Sequence, residues 1–252
     1  MKEAVIKVEN LTKRYEDVVA VDDISFEVYD GEIFGLLGPN GAGKTTTLEI
    51  IETLRKPTSG KITVDSIDVL EHPWEVKSRI GVQLQAAGFY PELSLVDLLK
   101  MFASLYQIKI DPMIILKKFS LEDKRRAFWN QLSGGQKQRF SLATTLIHNP
   151  KIIFLDEPTT GLDPAARANL WDEIRKIHAE GRTVILTTHY MEEAEELCDR
   201  VAIMDQGKII EIGSPHNLID ELLDSGFRKE QEVKKADLED VFLQLTGRHL
   251  RD

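Results

Sequence analysis

Cysteine is almost missing from this chain. Cys198 stands alone, so no internal disulfide framework is available, and a reducing compartment suits the composition. Also missing is any apolar run approaching the roughly 20 residues that span a bilayer. The Met1-Lys2-Glu3-Ala4 start lacks the apolar core of a secretory signal. A membrane role is therefore expected only through a separate partner. Basic residues are in deficit, 32 Lys and Arg against 42 Asp and Glu, for a net charge of −10. A phosphate backbone demands the opposite balance, which argues against nucleic acid as the main partner. No internal repeat and no low-complexity segment is present. What remains is 252 residues, 42% of them hydrophobic, enough for one large domain or one domain with a lobe.

One segment is rich in glycine, and it carries the chemistry. Gly38-Pro39-Asn40-Gly41-Ala42-Gly43-Lys44-Thr45-Thr46 fits G-x-x-x-x-G-K-[ST]. The apolar run 33–37 before it reads as a buried strand, and residues 47–54 after it read as a helix. Strand, glycine loop and helix together form a phosphate-binding site. Backbone N–H groups point inward, and the helix N-terminus adds partial positive charge. Lys44 is expected to reach the β- and γ-phosphates of ATP, and the Thr45 hydroxyl to bind Mg²⁺.

Elsewhere, residues 4–10 and 24–28 alternate apolar and polar, as half-buried antiparallel strands do. Residues 92–107 read as a helix with Leu95, Leu98, Leu99, Phe102 and Leu105 on one face, and 108–131 as short helices. Further helices are predicted at 136–148, 165–180 and 190–198. The run 152–155 has the continuous apolar character of a parallel strand covered on both sides, and 183–188 reads as the next strand. Residues 201–204 and 209–212 flank Asp205-Gln206-Gly207-Lys208 as a hairpin. Buried strands alternating with helices indicate an α/β core with a parallel sheet. The strand 152–155 ends in Asp156-Glu157. That pair either caps the strand or, beside the phosphate loop, holds Mg²⁺ through Asp156 and activates water through Glu157.

Leu132-Ser133-Gly134-Gly135-Gln136, twenty residues before Asp156, resembles the signature of the nucleotide-binding subunits of ATP-binding-cassette (ABC) transporters. The resemblance covers residues 4–214. It implies a P-loop ATPase core with a mostly parallel sheet, an N-terminal antiparallel β-subdomain and a helical subdomain inserted at about 86–148. A short helical tail over 215–252 follows the 1–214 ATPase domain. It further implies two subunits head to tail, with Ser133, Gly134, Gly135 and Gln136 of one capping ATP held by the other. Tyr15 matches the aromatic ring that stacks on adenine. Gln85 matches the glutamine that links Mg²⁺ and the attacking water to the membrane partner, although Gln83 lies on the same side of an extended segment. Asp163 of Gly161-Leu162-Asp163 matches the acid of the loop that crosses the dimer interface. His189 matches the switch histidine at the γ-phosphate. Ser66 stands where relatives often carry glycine, so a local backbone adjustment is expected there.

Residues 190–212 and the tail at 237–248 are similar to the drug, polysaccharide and lipid exporter branch. The expected partners are a second cassette and an integral membrane permease, with the chain on the cytoplasmic face. A soluble single-cassette ATPase of a protein or cofactor assembly system is the alternative. In the tail, Leu238, Val241, Phe242 and Leu245 form one apolar face, set either against its own domain or against a second subunit. Cys198 is expected to be packed rather than reactive.

Overall fold

The computed structural model describes residues 3–84 and 88–228. Gln85 and the apolar tail face at Leu238, Val241, Phe242 and Leu245 lie outside the described residues. The chain divides into a large unit, Met1–Asn217, and a second unit, Leu218–Asp252. Of the second unit, residues 218–228 are described.

Two sheets build the large unit. Strands β1 (Ala4–Tyr15) and β2 (Val18–Tyr29) form a long antiparallel hairpin, and β4 (Ser59–Val64) and β5 (Ile67–Asp68) extend it in the order β2-β1-β4-β5. Both hairpin strands run further than the alternation 4–10 and 24–28 suggests. Their outer halves alternate less regularly because several register shifts interrupt the pairing. Asp65 and Ser66, between β4 and β5, both have positive φ (49° and 66°), so the turn lacking glycine is made by two residues in left-handed backbone.

The second sheet has six strands in the order β10-β9-β3-β8-β7-β6. They are β3 (Ile33–Leu37), β6 (Ile80–Gln83), β7 (Ile152–Asp156), β8 (Thr183–Thr188), β9 (Arg200–Asp205) and β10 (Lys208–Gly213). All pairs are parallel except the β9–β10 hairpin. Every residue of β3, β7 and β8 is buried, which is why each carries a central apolar run, with the buried polar residues Asp156, Thr183, Thr187 and Thr188 confined to strand ends. Phe26 of β2 stacks on Phe34 of β3 at 5.5 Å and joins the two sheets in one core. Gly35 lies so close to Cys198 that a Cβ there would stand 2.7 Å from the Cys198 sulfur. Cys198 is thus a packing residue, and burial raises its thiol pKa strongly.

Helix α1 (Lys44–Ile51) follows the glycine loop. Helix α2 (Pro73–Arg79) and strand β6 have no clear sequence signal. The helix is two turns opened by Pro73, and β6 breaks its apolar run with Gly81 and Gln83. The helical region contains α3 (Leu95–Leu105), α4 (Pro112–Lys118) and α5 (Gly134–Thr145). In α3 the face is shifted from the expected one, with Ala103 buried and Leu105 exposed. Helices α6 (Pro164–Ala179), α7 (Met191–Leu197) and α8 (Pro215–Asp224) complete the described elements.

Register decides what the sheet brings together. Leu37 pairs with Thr188, and Thr187 pairs with Asp156. The glycine loop, the acidic pair and His189 therefore leave the sheet side by side at the carboxyl ends of three adjacent strands. That is the edge where open α/β sheets place ligands.

Candidate active site

The loop from Gly38 to Gly43 wraps a cleft of about 620 Å³. Asn40, Gly41, Gly43, Lys44, Thr45, Thr46, Glu157 and His189 all border it. Gly43 has φ 100°, and a Cβ there would run into the Ala20 carbonyl. A Cβ at Gly38 would meet the Met204 carbonyl. Glycine is thus required at both positions by backbone contact, and at Gly43 by conformation as well. Ala42 is buried beneath the loop, and its amide donates to the Pro39 carbonyl at 3.2 Å.

Lys44 is 4% exposed, and its ammonium donates to the carbonyls of Gly38 (2.8 Å) and Pro39 (3.0 Å). Its Nζ lies 3.8 Å from Glu157 Oε1. Burial lowers the Lys44 pKa, and the Glu157 and Asp156 carboxylates oppose that shift. Thr45 Oγ1 donates to Asp156 Oδ1 at 3.2 Å. Thr45 and Asp156 thus offer two neighbouring hard oxygens, the donor chemistry that Mg²⁺ takes. No cluster of three His, Cys, Asp or Glu side chains suited to a metal occurs among the described residues. A site completed by phosphate and water oxygens needs none. Burial raises the Asp156 pKa, while bonds from Thr187 and Thr45 favour the ionised form.

Glu157 is 8% exposed and takes a left-handed backbone, φ 46°, which non-glycine residues seldom adopt. Its amide is anchored by Thr187, through the side-chain oxygen at 3.0 Å and the carbonyl at 3.2 Å. Thr160 Oγ1 donates to Glu157 Oε2 at 3.1 Å. His189 Nδ1 faces the same oxygen at 3.4 Å, without hydrogen-bond alignment. Thr160 and Thr187 were not legible as site residues. The only signal was a hydroxyl pair beside each motif, Thr159-Thr160 and Thr187-Thr188.

Tyr15 ends β1, beyond the residues that border the cleft, with the Lys13 and Arg55 cations over its ring at 4.8 and 5.4 Å. Val18, Val19 and Ala20 form the nearest wall of the hairpin. Gln83 is buried in β6, and its amide donates to Gln138 Oε1 of α5 at 2.7 Å.

Ser133, Gly134, Gly135 and Gln136 lie elsewhere. Ser133 caps α5 in a reciprocal box: its Oγ accepts from the Gln136 amide, and Gln136 Oε1 accepts from the Ser133 amide at 3.0 Å. The four residues border a second cleft of about 440 Å³ together with Gly161, Leu162 and Asp163. Asp163 caps α6 by accepting from the Ala166 amide at 2.8 Å. The two clefts have no lining residue in common.

Comparison with known proteins agrees with this geometry. The family model described as ABC transporter matches residues 21–160. The chain is 36% identical to Nod factor export ATP-binding protein I of Burkholderia orbicola, over 100% of both chains. It is 40% identical to daunorubicin resistance ATP-binding protein DrrA3 of Streptomyces coeruleorubidus, over 86% of this chain and 71% of that protein. Among solved structures it is similar to the dimeric ATP-binding cassette MJ0796 in a post-hydrolysis state bound to ADP and Pi. There the TM-score is 0.76 at 28% identity, covering 83% of this chain and 98% of that one. A phosphate loop beside an acidic strand end, a signature cap on a separate face and the match of the family model lead to one conclusion: the chain belongs to the ABC transporter family, as an ATP-binding ATPase subunit.

Proposed function

We propose that the chain powers a membrane exporter as one of two cassettes that close on ATP. Export is supported by the names of the relatives, and pairing by the separation of the two clefts. Each holds half of the groups that a bound triphosphate requires. In this reading Lys44 and His189 of one subunit hold the γ-phosphate, and Ser133 and Gly135 of the other cap it, with Asp163 at the crossing between subunits. Adenine leaves the cleft past Val18 to stack on Tyr15. Thr45 and Asp156 hold Mg²⁺, with Gln85 as the further ligand. When bound, that ion neutralises charge on the β- and γ-phosphates. Glu157 orients the attacking water and takes its proton, Thr160 fixes the carboxylate, and Thr187 fixes the backbone that carries it. The acceleration comes from positioning and electrostatics.

Among the described residues no helix is long and apolar enough to cross a membrane. In this reading the bilayer is reached through a permease subunit, with the chain on the cytoplasmic face. Short helices of that subunit dock in the cleft between the helical region and the core, where Leu54, Leu84 and Tyr106 expose apolar surface.

The observation that carries the reading is the placement of Glu157 on the cleft wall with Lys44, Thr160 and His189 around its carboxylate. Glu157→Gln is expected to bind ATP, accumulate as a closed dimer on size-exclusion chromatography and lose turnover by at least about a hundredfold. Hydrolysis at the wild-type rate would remove Glu157 from this role.

A further inference from the structure

The cleft bordered by Glu52, Ile80, Val82, Phe102, Tyr106 and His148 measures about 310 Å³ and is walled mostly by apolar side chains. Two polar atoms in it are unpaired. Glu52 is the C-cap of α1 and 2% exposed, yet its Oε1 has no hydrogen-bond partner among the described residues. Thr53, the next residue, holds φ 63°, a conformation β-branched side chains strongly disfavour. The chain thus turns through a strained position directly after placing a carboxyl inside. A buried carboxyl oxygen left without a hydrogen-bond partner beside a strained residue is unusual unless something meets that oxygen.

The second atom is His148 Nδ1, also buried and unpaired. His148 Nε2 lies 2.9 Å from the Ile80 carbonyl, which accepts only from a protonated nitrogen. Burial lowers the pKa of this imidazole, so the ring is neutral and Nδ1 is an acceptor. Tyr106 stacks flat on the same ring, 3.9 Å away at an angle of 9°.

Both vacant atoms accept, and one belongs to an acid. Burial, and after it the Asp156 and Glu49 carboxylates, raises the Glu52 pKa to about 8, so the charges that act on it are themselves acidic. Lys77 is the one cation that borders the cleft, and its Nζ rests over the Trp74 ring at 4.9 Å instead of pairing with Glu52. An occupant therefore needs positive charge, several donors in a fixed arrangement and a surface that tolerates aromatic and aliphatic walls. Guanidinium has these properties, and an ammonium, more strongly hydrated, fits them less well.

Resting on the docking role given to this cleft above, we propose that it receives an arginine side chain from the membrane partner. That arginine is presented on the apolar face of a short helix, with the Glu52 carboxylate and His148 Nδ1 as its acceptors. Glu52 then acts as the residue that selects the partner. The exposed rim at Leu54 and Leu84 meets the apolar residues flanking the arginine. Any proton on Glu52 leaves to solvent as the ion pair forms.

The test uses the full chain and two dye-labelled amphipathic helical peptides, identical except that one carries a central arginine and the other citrulline. Citrulline keeps the shape and loses the charge. Fluorescence anisotropy is read at about pH 9, where Glu52 is ionised without a partner. The arginine peptide is expected to bind at least about tenfold more tightly than its twin. In Glu52→Gln and in His148→Phe that preference shrinks, to about onefold in the former. Equal binding of both peptides to the wild type would overturn the arginine proposal and leave the docking role standing. Binding of neither would overturn the docking role as well. An undiminished arginine preference in Glu52→Gln would remove Glu52 as the acceptor.

Discussion

Replacing Glu52 by glutamine is expected to stabilise the free chain by an amount that grows with pH. The carboxyl ends α1 inside an apolar cleft, and burial with the neighbouring Asp156 and Glu49 carboxylates raises its pKa from 4.5 to about 8. In the unfolded chain it ionises near the lower value. Below that value both states hold the proton, and ionisation contributes nothing to the difference. Between the two values the folded state keeps a proton that the unfolded state has lost. Stability then falls with rising pH at about 1.4 kcal/mol per unit. Above the folded value both states are ionised and the loss is complete. From about pH 5 to about pH 8 the accumulated cost is therefore about 4 kcal/mol, a large share of the stability of an ordinary domain. Glutamine has nearly the same shape and cannot ionise. Titrating groups not coupled to Glu52 are common to both proteins and cancel in the comparison. Urea unfolding followed by the fluorescence of Trp129 and Trp171, repeated across that range, should show the midpoint of Glu52→Gln moving above wild type as pH rises. A gap that stays constant would mean the folded carboxyl is already ionised at the acid end, and the reasoning from its burial would be wrong. The same logic reverses in an assembled transporter, where a partner cation would make the charged form the stable one.

Three further outcomes follow from the site. Lys44→Ala should weaken nucleotide binding by at least about tenfold in a fluorescent-nucleotide titration, because it removes the buried cation beside the loop carbonyls; unchanged affinity would displace Lys44 from the phosphates. Gly43→Ala should cost about 2 kcal/mol in urea unfolding and impair nucleotide binding, since its Cβ would drive the loop away from Ala20; wild-type values for both would contradict the close approach. Trp171→Phe should cost about 1–3 kcal/mol, because Trp171 Nε1 donates to Glu193 at 3.0 Å and Glu193 is fully buried with its other oxygen already unpaired; an unchanged urea midpoint would show that water or another donor takes over.

The parts of this molecule that were legible in sequence are those where local pattern and tertiary role coincide. The phosphate loop is read from spacing because its glycines serve backbone contacts that no other residue permits. Strands β3, β7 and β8 are read because burial on both faces leaves an apolar run at the centre of each, 33–37, 152–155 and 184–186. The helix predicted from 136 begins instead at Gly134, where Ser133 and Gln136 cap it. Strand β6 fails on the same grounds. It is short, lies at the sheet edge and contains Gly81 and Gln83, so its identity comes only from pairing with β7. That pairing buries Gln83 against Gln138.

Glu52 shows the limit most clearly. Glu49, Glu52 and Arg55 recur every three residues at the end of an amphipathic segment, which in sequence describes a solvated helix edge. Glu49 and Arg55 behave that way and pair at 2.6 Å. Glu52 does not, because Ile80 and Val82 of β6, Thr144 and Thr145 at the end of α5, and His148 beyond it border the same cleft. Helical periodicity identifies a face but cannot say what arrives from elsewhere in the chain to cover it. An acid covered by apolar neighbours, beside like charges and an imidazole acceptor, has no local signature. The groups that do chemistry on ATP are legible because a loop and two strand ends carry them. Glu52, the group proposed to choose the partner, is legible only once the helical region has folded onto the core.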